Sequence, residues 1–373
     1  MAEILILGGG FGGVVAAEEL ARTLGAEHQI TLVARASQFT FYPALVRLAF
    51  GECAPEDVVF ELRAAMLDRR VRFIEAEVAR VEPQTRTVTL AGGDVAGDLH
   101  YDFLIFALGR RLASERIKGF YEHAHHLLTV EAALKFGAAV RAFHGGHAVI
   151  GSCPGARLEV PVYETVFSLA RQLEAQGERA RITVISPEYP SMRVGSADIA
   201  RAVAPALDAH HINFMKHFPV SEVTSEVVRT AGALEVEYDL LMLVPPFTGP
   251  SALAGTGLTD EEGYVRVERT MRVVGCERMY AVGDAVSLPG PKMGHMAVRQ
   301  GAVAAANIAA ELAGRAPTET YEHELMLVID AGGGDSSYLH KQLWGDGAET
   351  VGHSRFWHWA KRVQQHYWQA THS

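Results

Sequence analysis

The chain has 373 residues, 34 basic against 44 acidic side chains, a net charge of -10, 36 glycines and three cysteines. Near-half apolar composition with ordinary charge excludes disorder, a collagen-like chain and a disulfide-stapled mini-protein. The negative balance argues against general nucleic-acid binding, which runs on clustered Lys and Arg. At roughly 150 residues per domain, the length sets an expectation of two to three domains. Cysteines at 53, 153 and 276 make no CxxC pair and no zinc spacing, the usage of a reducing compartment or of thiols kept for chemistry. The opening MAEILILGGG lacks the basic flank of a secretion signal, and no apolar run approaches the roughly 18 residues of a spanning helix.

The first forty residues read as one βαβ unit: EILIL as a strand, GGGFGG as the turn, VVAAEELARTL as a helix ending at Gly25, and QITLVA as a second strand. After it, VRFIEAEVARVEPQTRTVTL alternates as antiparallel strands. A second unit follows, with HAVIG at 147–151, the helix YETVFSLARQLEAQG and the strand ARITVIS. YDFLIFALG from Tyr101 and YDLLMLVPP from Tyr238 form another such pair. Both repeats are offset by roughly 140 residues, which predicts an α/β chain with two similar Rossmann-like domains. The predicted division is 1–110 with 243–320 for a discontinuous first domain, 111–242 for the second, and 321–373 for a C-terminal segment.

Gly8, Gly10 and Gly13 fit G-x-G-x-x-G directly between a strand and a helix. The first glycine allows the tight turn, the second lets backbone N–H groups approach a pyrophosphate, and the third lets helix and strand pack closely. The second strand ends Val33-Ala34-Arg35, without the acidic residue that grips an adenosine ribose, so this loop alone leaves FAD and NADP open. Further on, MYAVGDAVSL at 279–288 resembles the second FAD fingerprint of two-dinucleotide-binding flavoproteins, in which the aspartate, here Asp284, accepts hydrogen bonds from the ribityl chain. YDFLIFALG stands where that superfamily has Y-D-x-L-x-x-A-T-G, with Leu108 in place of the usual Thr. The cofactor implied is FAD.

FTFYPALVRLAFG (39–51), VPVYE (160–164), LVPPFTGPSAL (243–253), GYVRVERTMRV (263–273) and GPKMGHMAVRQGAVAAANIA (290–309) resemble the sulfide:quinone oxidoreductase and flavocytochrome c sulfide dehydrogenase group over essentially the whole chain. The resemblance implies electron transfer from a small sulfur reductant through FAD to quinone. The FAD contacts expected are Gly8, Gly10, Phe11, Gly13, Arg35, Pro43, Val78, Ala107, Gly109, Pro246, Gly283, Asp284, Lys292, Met293 and Gly294. Type II NADH dehydrogenases share part of this pattern and are the alternative, as is a flavin-binding or sensing protein without turnover. The second glycine loop bears on that choice. It reads Gly151-Ser152-Cys153-Pro154-Gly155-Ala156, with a side chain at the second position and a helix that starts only near Pro161, which speaks against tight NADH binding.

In that group a redox cystine works beside the flavin. Its positions fall here on His126-Leu127-Leu128-Thr129 and on Leu327-Val328-Ile329-Asp330-Ala331-Gly332, both with leucine for cysteine. Cys153 remains as the candidate thiol, against a buried structural role for it and for Cys53 and Cys276. Glu164 matches a family glutamate and is a candidate acid or base, or else a carboxylate complementing the helix dipole in the first turn. His295 is a candidate proton carrier or a packing residue. The histidines at 123, 125, 126, 210 and 211 lack metal-ligand spacing, and no metal is expected. Finally, Phe356, Trp357, Trp359, Val363, Tyr367 and Trp368, with Arg355, Lys361 and Arg362, suit an interfacial helix on an anionic bilayer, the alternative being a terminal helix docked on the protein or a second subunit. Expected partners are therefore quinone, a small sulfur reductant and the inner face of the cell membrane, reached from the cytoplasm; a homo-oligomer stays open.

Overall fold

The structure, a computed structural model, describes residues 1–187, 196–332, 335–344, 349–354, 368 and 370–372. Strand β1 (Glu3–Leu7) leads into helix α1 (Phe11–Leu24) and strand β2 (Gln29–Ala34). All but the first residue of each strand is buried, as expected of parallel strands covered on both faces. Helix α1 buries Val14, Ala17 and Leu20 at helical spacing, and Gly25 ends it by donating its N–H to the Ala21 carbonyl. Strands β3 (Arg72–Glu75) and β4 (Phe103–Phe106) extend the first sheet.

The second unit repeats the plan. It consists of β5 (Gly146–Ser152), α2 (Val160–Gln176), β6 (Ala180–Ile185), β7 (Asn213–Met215) and β8 (Leu240–Val244). Pro161 suits the first turn of α2, and Gly177 in the left-handed region closes it. The chain then returns to the first sheet with β9 (Met279–Ala281) and α3 (Gly294–Leu312). The parallel sheets run β9-β4-β1-β2-β3 and β7-β6-β5-β8. The two repeats noticed in the sequence are thus one arrangement: β4 lies beside β1 as β8 lies beside β5.

One expectation is corrected. The segment from Val71 does not open as an antiparallel strand, because Arg72–Glu75 pairs in parallel with β2; the antiparallel meander begins at Glu77 and uses Glu77–Glu82, Thr87–Ala91 and Gly97–His100. The C-terminal segment starts as an antiparallel sheet of β10 (Glu324–Gly332), β11 (Asp335–Gln342) and β12 (Glu349–His353). Leu325, Leu327 and Ile329 alternate inward from β10 and are fully buried. Among the described residues, no helix is long and apolar enough to cross a membrane.

Candidate functional site

The first glycine loop is shaped by backbone contact. A Cβ at Gly13 would stand 1.9 Å from the Gly8 carbonyl oxygen, so only glycine lets α1 start where it does. A Cβ at Gly10 would meet nothing within 4 Å: the loop opens there. Gly10 caps α1 without a side-chain hydrogen bond, and the same holds for Met293 at the start of α3. The two helices pack backbone to backbone, since a Cβ on Gly301 would lie 2.4 Å from the Gly12 oxygen and one on Gly294 3.1 Å from the Phe11 ring. Two uncapped helix N-termini, each with unsatisfied N–H donors and positive dipole ends, therefore stand side by side. That is the arrangement a pyrophosphate and a flavin carbonyl need.

Around this cradle the structure gathers segments far apart in sequence. Ala107 at the end of β4 touches the Gly8 turn, and Gly109 takes a positive φ of 71°. Arg110, which sequence reading missed, ion-pairs with Asp284. Its guanidinium lies 4.4 Å from the centre of the Phe247 ring and 5.7 Å from that of Tyr42. The Tyr42-Pro43 turn, the Pro246-Phe247 segment and the Gly283-Asp284 turn thus meet at one side chain. Gln300, also missed, holds the turn by accepting the Gly283 N–H at 2.7 Å. Gly283, Asp284, Lys292 and Met293 share a small cavity with Gln300 and His323. Arg35 is exposed past the end of β2, and Val78 sits half-buried on the Glu77–Glu82 strand.

The second glycine loop folds differently. Gly155 faces Pro246, whose Cβ would be 3.6 Å from a Cβ on the glycine, and its carbonyl accepts the Phe247 N–H at 3.1 Å. Arg157 turns inward and donates to the Leu288 and Gly290 carbonyls. Glu159 is the N-cap of α2, is buried, and accepts a hydrogen bond from Ser152 Oγ at 3.3 Å. The N-cap position of α2 thus holds a buried carboxylate that makes no side-chain hydrogen bond to the helix's own N–H groups.

The catalytic candidates do not converge. Glu164 lies a full turn into α2 rather than in its first turn, because the helix begins at Val160. Glu164 is buried against β10 and accepts the Asp330 N–H at 3.2 Å, beside the Leu327–Gly332 segment. Cys153 is fully buried in the second domain's core with Val149, Ile185, Phe218, Leu241 and Leu243, and desolvation pushes its thiol far up. This is the environment of an inert thiol. Cys53 and Cys276 are half-buried, each with a thiol raised chiefly by burial. His295 accepts the Met326 N–H at 3.3 Å on Nε2, and burial, with Arg299, His323 and His340 nearby, lowers it to about 4. Burial thus favours the neutral ring, which suits the packing alternative. Among the described residues, no group of His, Cys, Asp and Glu could hold a metal.

Trp368 is the one described member of the predicted interfacial face; Arg355, Phe356, Trp357, Trp359, Lys361, Arg362, Val363 and Tyr367 lie outside the described residues. Trp368 does not face outward. It is 6% exposed, with its ring 4.6 Å from Phe11 and 5.4 Å from Phe39. His372 pairs with Glu18, and Arg69 binds both Glu18 and the Thr371 carbonyl. For this residue the docked alternative holds.

The fold and the family match define an FAD-binding flavoprotein with two Rossmann-type units. The chain belongs to the pyridine nucleotide-disulphide oxidoreductase family, whose model matches residues 2–301. It is 26% identical over 300 residues to the sulfide-quinone reductase of Aquifex aeolicus (strain VF5), covering 77% of this chain and 69% of that one. It is 25% identical over 336 residues to the type II NADH:quinone oxidoreductase NdhA of Mycobacterium tuberculosis, covering 82% and 70%. Among solved structures, the sulfide:quinone oxidoreductase from Aquifex aeolicus superposes with a TM-score of 0.89 at 23% identity, over 99% of this chain and 90% of that chain. NDH2 from Plasmodium falciparum in complex with NADH gives 0.74 at 13% identity, over 97% and 94%. The chain is a flavin-dependent oxidoreductase, and its cofactor is FAD.

Proposed function

We propose that this enzyme passes two electrons from sulfide, or a related small sulfur reductant, through FAD to quinone. The observation that carries this reading over NADH oxidation is the second glycine loop, filled by its own Glu159, Arg157 and Pro246. A buried carboxylate at the α2 N-terminus repels the pyrophosphate that a nicotinamide cofactor would bring. The names of the Aquifex and Mycobacterium relatives both specify a quinone acceptor, and the first also specifies sulfide.

The net reaction needs no protein cystine: hydrosulfide gives up two electrons and a proton and becomes zero-valent sulfur, while quinone takes two electrons and two protons. FAD, when bound, supplies the two-electron relay. This chain's residues would hold it, with Gly10 and the α1 N-terminus at the pyrophosphate and the 283–284 and 293–294 backbone at the flavin. Glu164, buried beside β10, is the proposed proton donor on the acceptor side. A quinone dissolved in lipid calls for a membrane surface, and the proposed one is the 355–367 stretch. Removing residues 353–373 should release the protein from anionic liposomes, and persistent binding refutes that surface.

Anaerobic mixing with sulfide, then separately with NADH, tests the reaction. Sulfide should bleach the oxidised flavin rapidly and NADH should not. Bleaching by NADH instead overturns the donor assignment, and bleaching by neither favours a flavin-binding protein without turnover, a reading to which the leucines at the family's cysteine positions lend weight. Cys153→Ser should leave the sulfide reaction unchanged.

A further inference from the structure

Lys292 is one of the few buried charged residues, and among the described residues no carboxylate is hydrogen-bonded to its Nζ. Its Nζ donates to the Val286 carbonyl and lies 4.4 Å from the centre of the Tyr264 ring. An ammonium carries three N–H donors, and among the described residues one of them finds an oxygen. The nearby carboxylates are engaged elsewhere: Asp284 with Arg110, and Asp260 with Ser287 Oγ and the backbone N–H groups of Glu262 and Tyr264. Arg157 and Arg110 add positive charge from two further segments, and His323 lines the same cavity. Burial first, then Arg157, pushes the amine down to about 7, while Asp284 and Asp260 pull the other way.

We infer that Lys292 is a proton acceptor set beside the bound flavin, a free amine next to the oxidised cofactor that takes one proton from solvent as the cofactor is reduced. The inference rests on the proposed placing of the flavin against Gly283–Asp284 and Met293, which line one cavity with Lys292. Two electrons arriving with one proton add one net negative charge; the proton bound by Lys292 cancels it. Each electron pair is then accompanied by two protons, the number a quinone acceptor consumes.

The test is reductive titration of the FAD-loaded protein by dithionite in weakly buffered alkaline solution, with a pH indicator, together with the midpoint potential against pH. The wild type should take up two protons per electron pair in the pH range above neutrality, where a flavin alone binds one. K292M should take up one, and so should K292R, at a more positive potential because its charge is permanent. One proton per pair in the wild type overturns the inference, as does retention of two in K292R. The wild-type and K292R arms decide even where K292M fails to hold FAD. If K292M changes neither the flavin absorption spectrum nor the FAD dissociation constant, the flavin placement itself fails. A changed spectrum with two protons retained sinks only the lysine's role.

Discussion

Two glycine loops of one ancestry of shape have gone separate ways in this chain. Both leave a buried parallel strand and enter a helix, and each strand has the same neighbour pattern, β4 beside β1 and β8 beside β5. The first loop keeps its centre open at Gly10 and leaves its helix uncapped. The second places a buried Glu159, bonded to Ser152, at the N-cap position, Arg157 as a strap to the 288–290 carbonyls, and Pro246 as a neighbour to Gly155. The lesson is that a βαβ unit is a scaffold, and that the residues around the helix N-terminus decide how open its loop is.

The comparison breaks most severely at Gly13. Gly13→Val would drive a side chain into the Gly8 carbonyl, and the expected result is a protein without flavin, destabilised by more than about 3 kcal/mol. Bound FAD per chain and thermal unfolding measure this, and stoichiometric FAD in the variant would show that the cradle is not where the cofactor sits.

Next comes the aromatic cover on the first loop, for which the second loop has no described counterpart. Trp368→Ala removes a ring buried against Phe11 and Phe39, at a cost of about 3 kcal/mol to the docking of the chain's end. Hydrogen exchange of the 370–372 amides should accelerate accordingly, and unchanged protection means the ring contributes little. The smallest effect belongs to the plug. Glu159→Ala strips Ser152 of its buried partner and costs about 1–3 kcal/mol. NADH should still fail to bind in a direct titration, because Pro246 and Arg157 remain; tight binding would make Glu159 the sole barrier.

Much of this was legible beforehand. Continuous apolar runs such as EILIL and FLIF report strands buried on both faces, and G-x-G-x-x-G between strand and helix reports the turn, because both signals are local and rest on backbone geometry. The roughly 140-residue repeat was legible for the same reason. Arg72–Glu75 was misjudged because its short, half-polar sequence does not say which strand it will pair with; β2, forty residues earlier, decides that. Glu164 was placed in the first turn because the cap at Glu159 gives no familiar signal such as Ser or Thr before an apolar run. Cys153 drew attention by its glycine-rich neighbours, yet its side chain faces the far core, a matter of which way the loop turns.

By itself, then, the amino-acid order determined two Rossmann units, a dinucleotide-type first loop and the motifs that carry the family resemblance, through periodicity and residues adjacent along the chain. Only the tertiary structure decided that Arg110 joins Asp284, that Arg157 straps the second loop and Glu159 bonds Ser152, that Trp368 turns inward, and that Lys292 has one oxygen acceptor among the described residues. Each of those depends on partners between 6 and 357 positions away, and on the desolvation that only packing imposes.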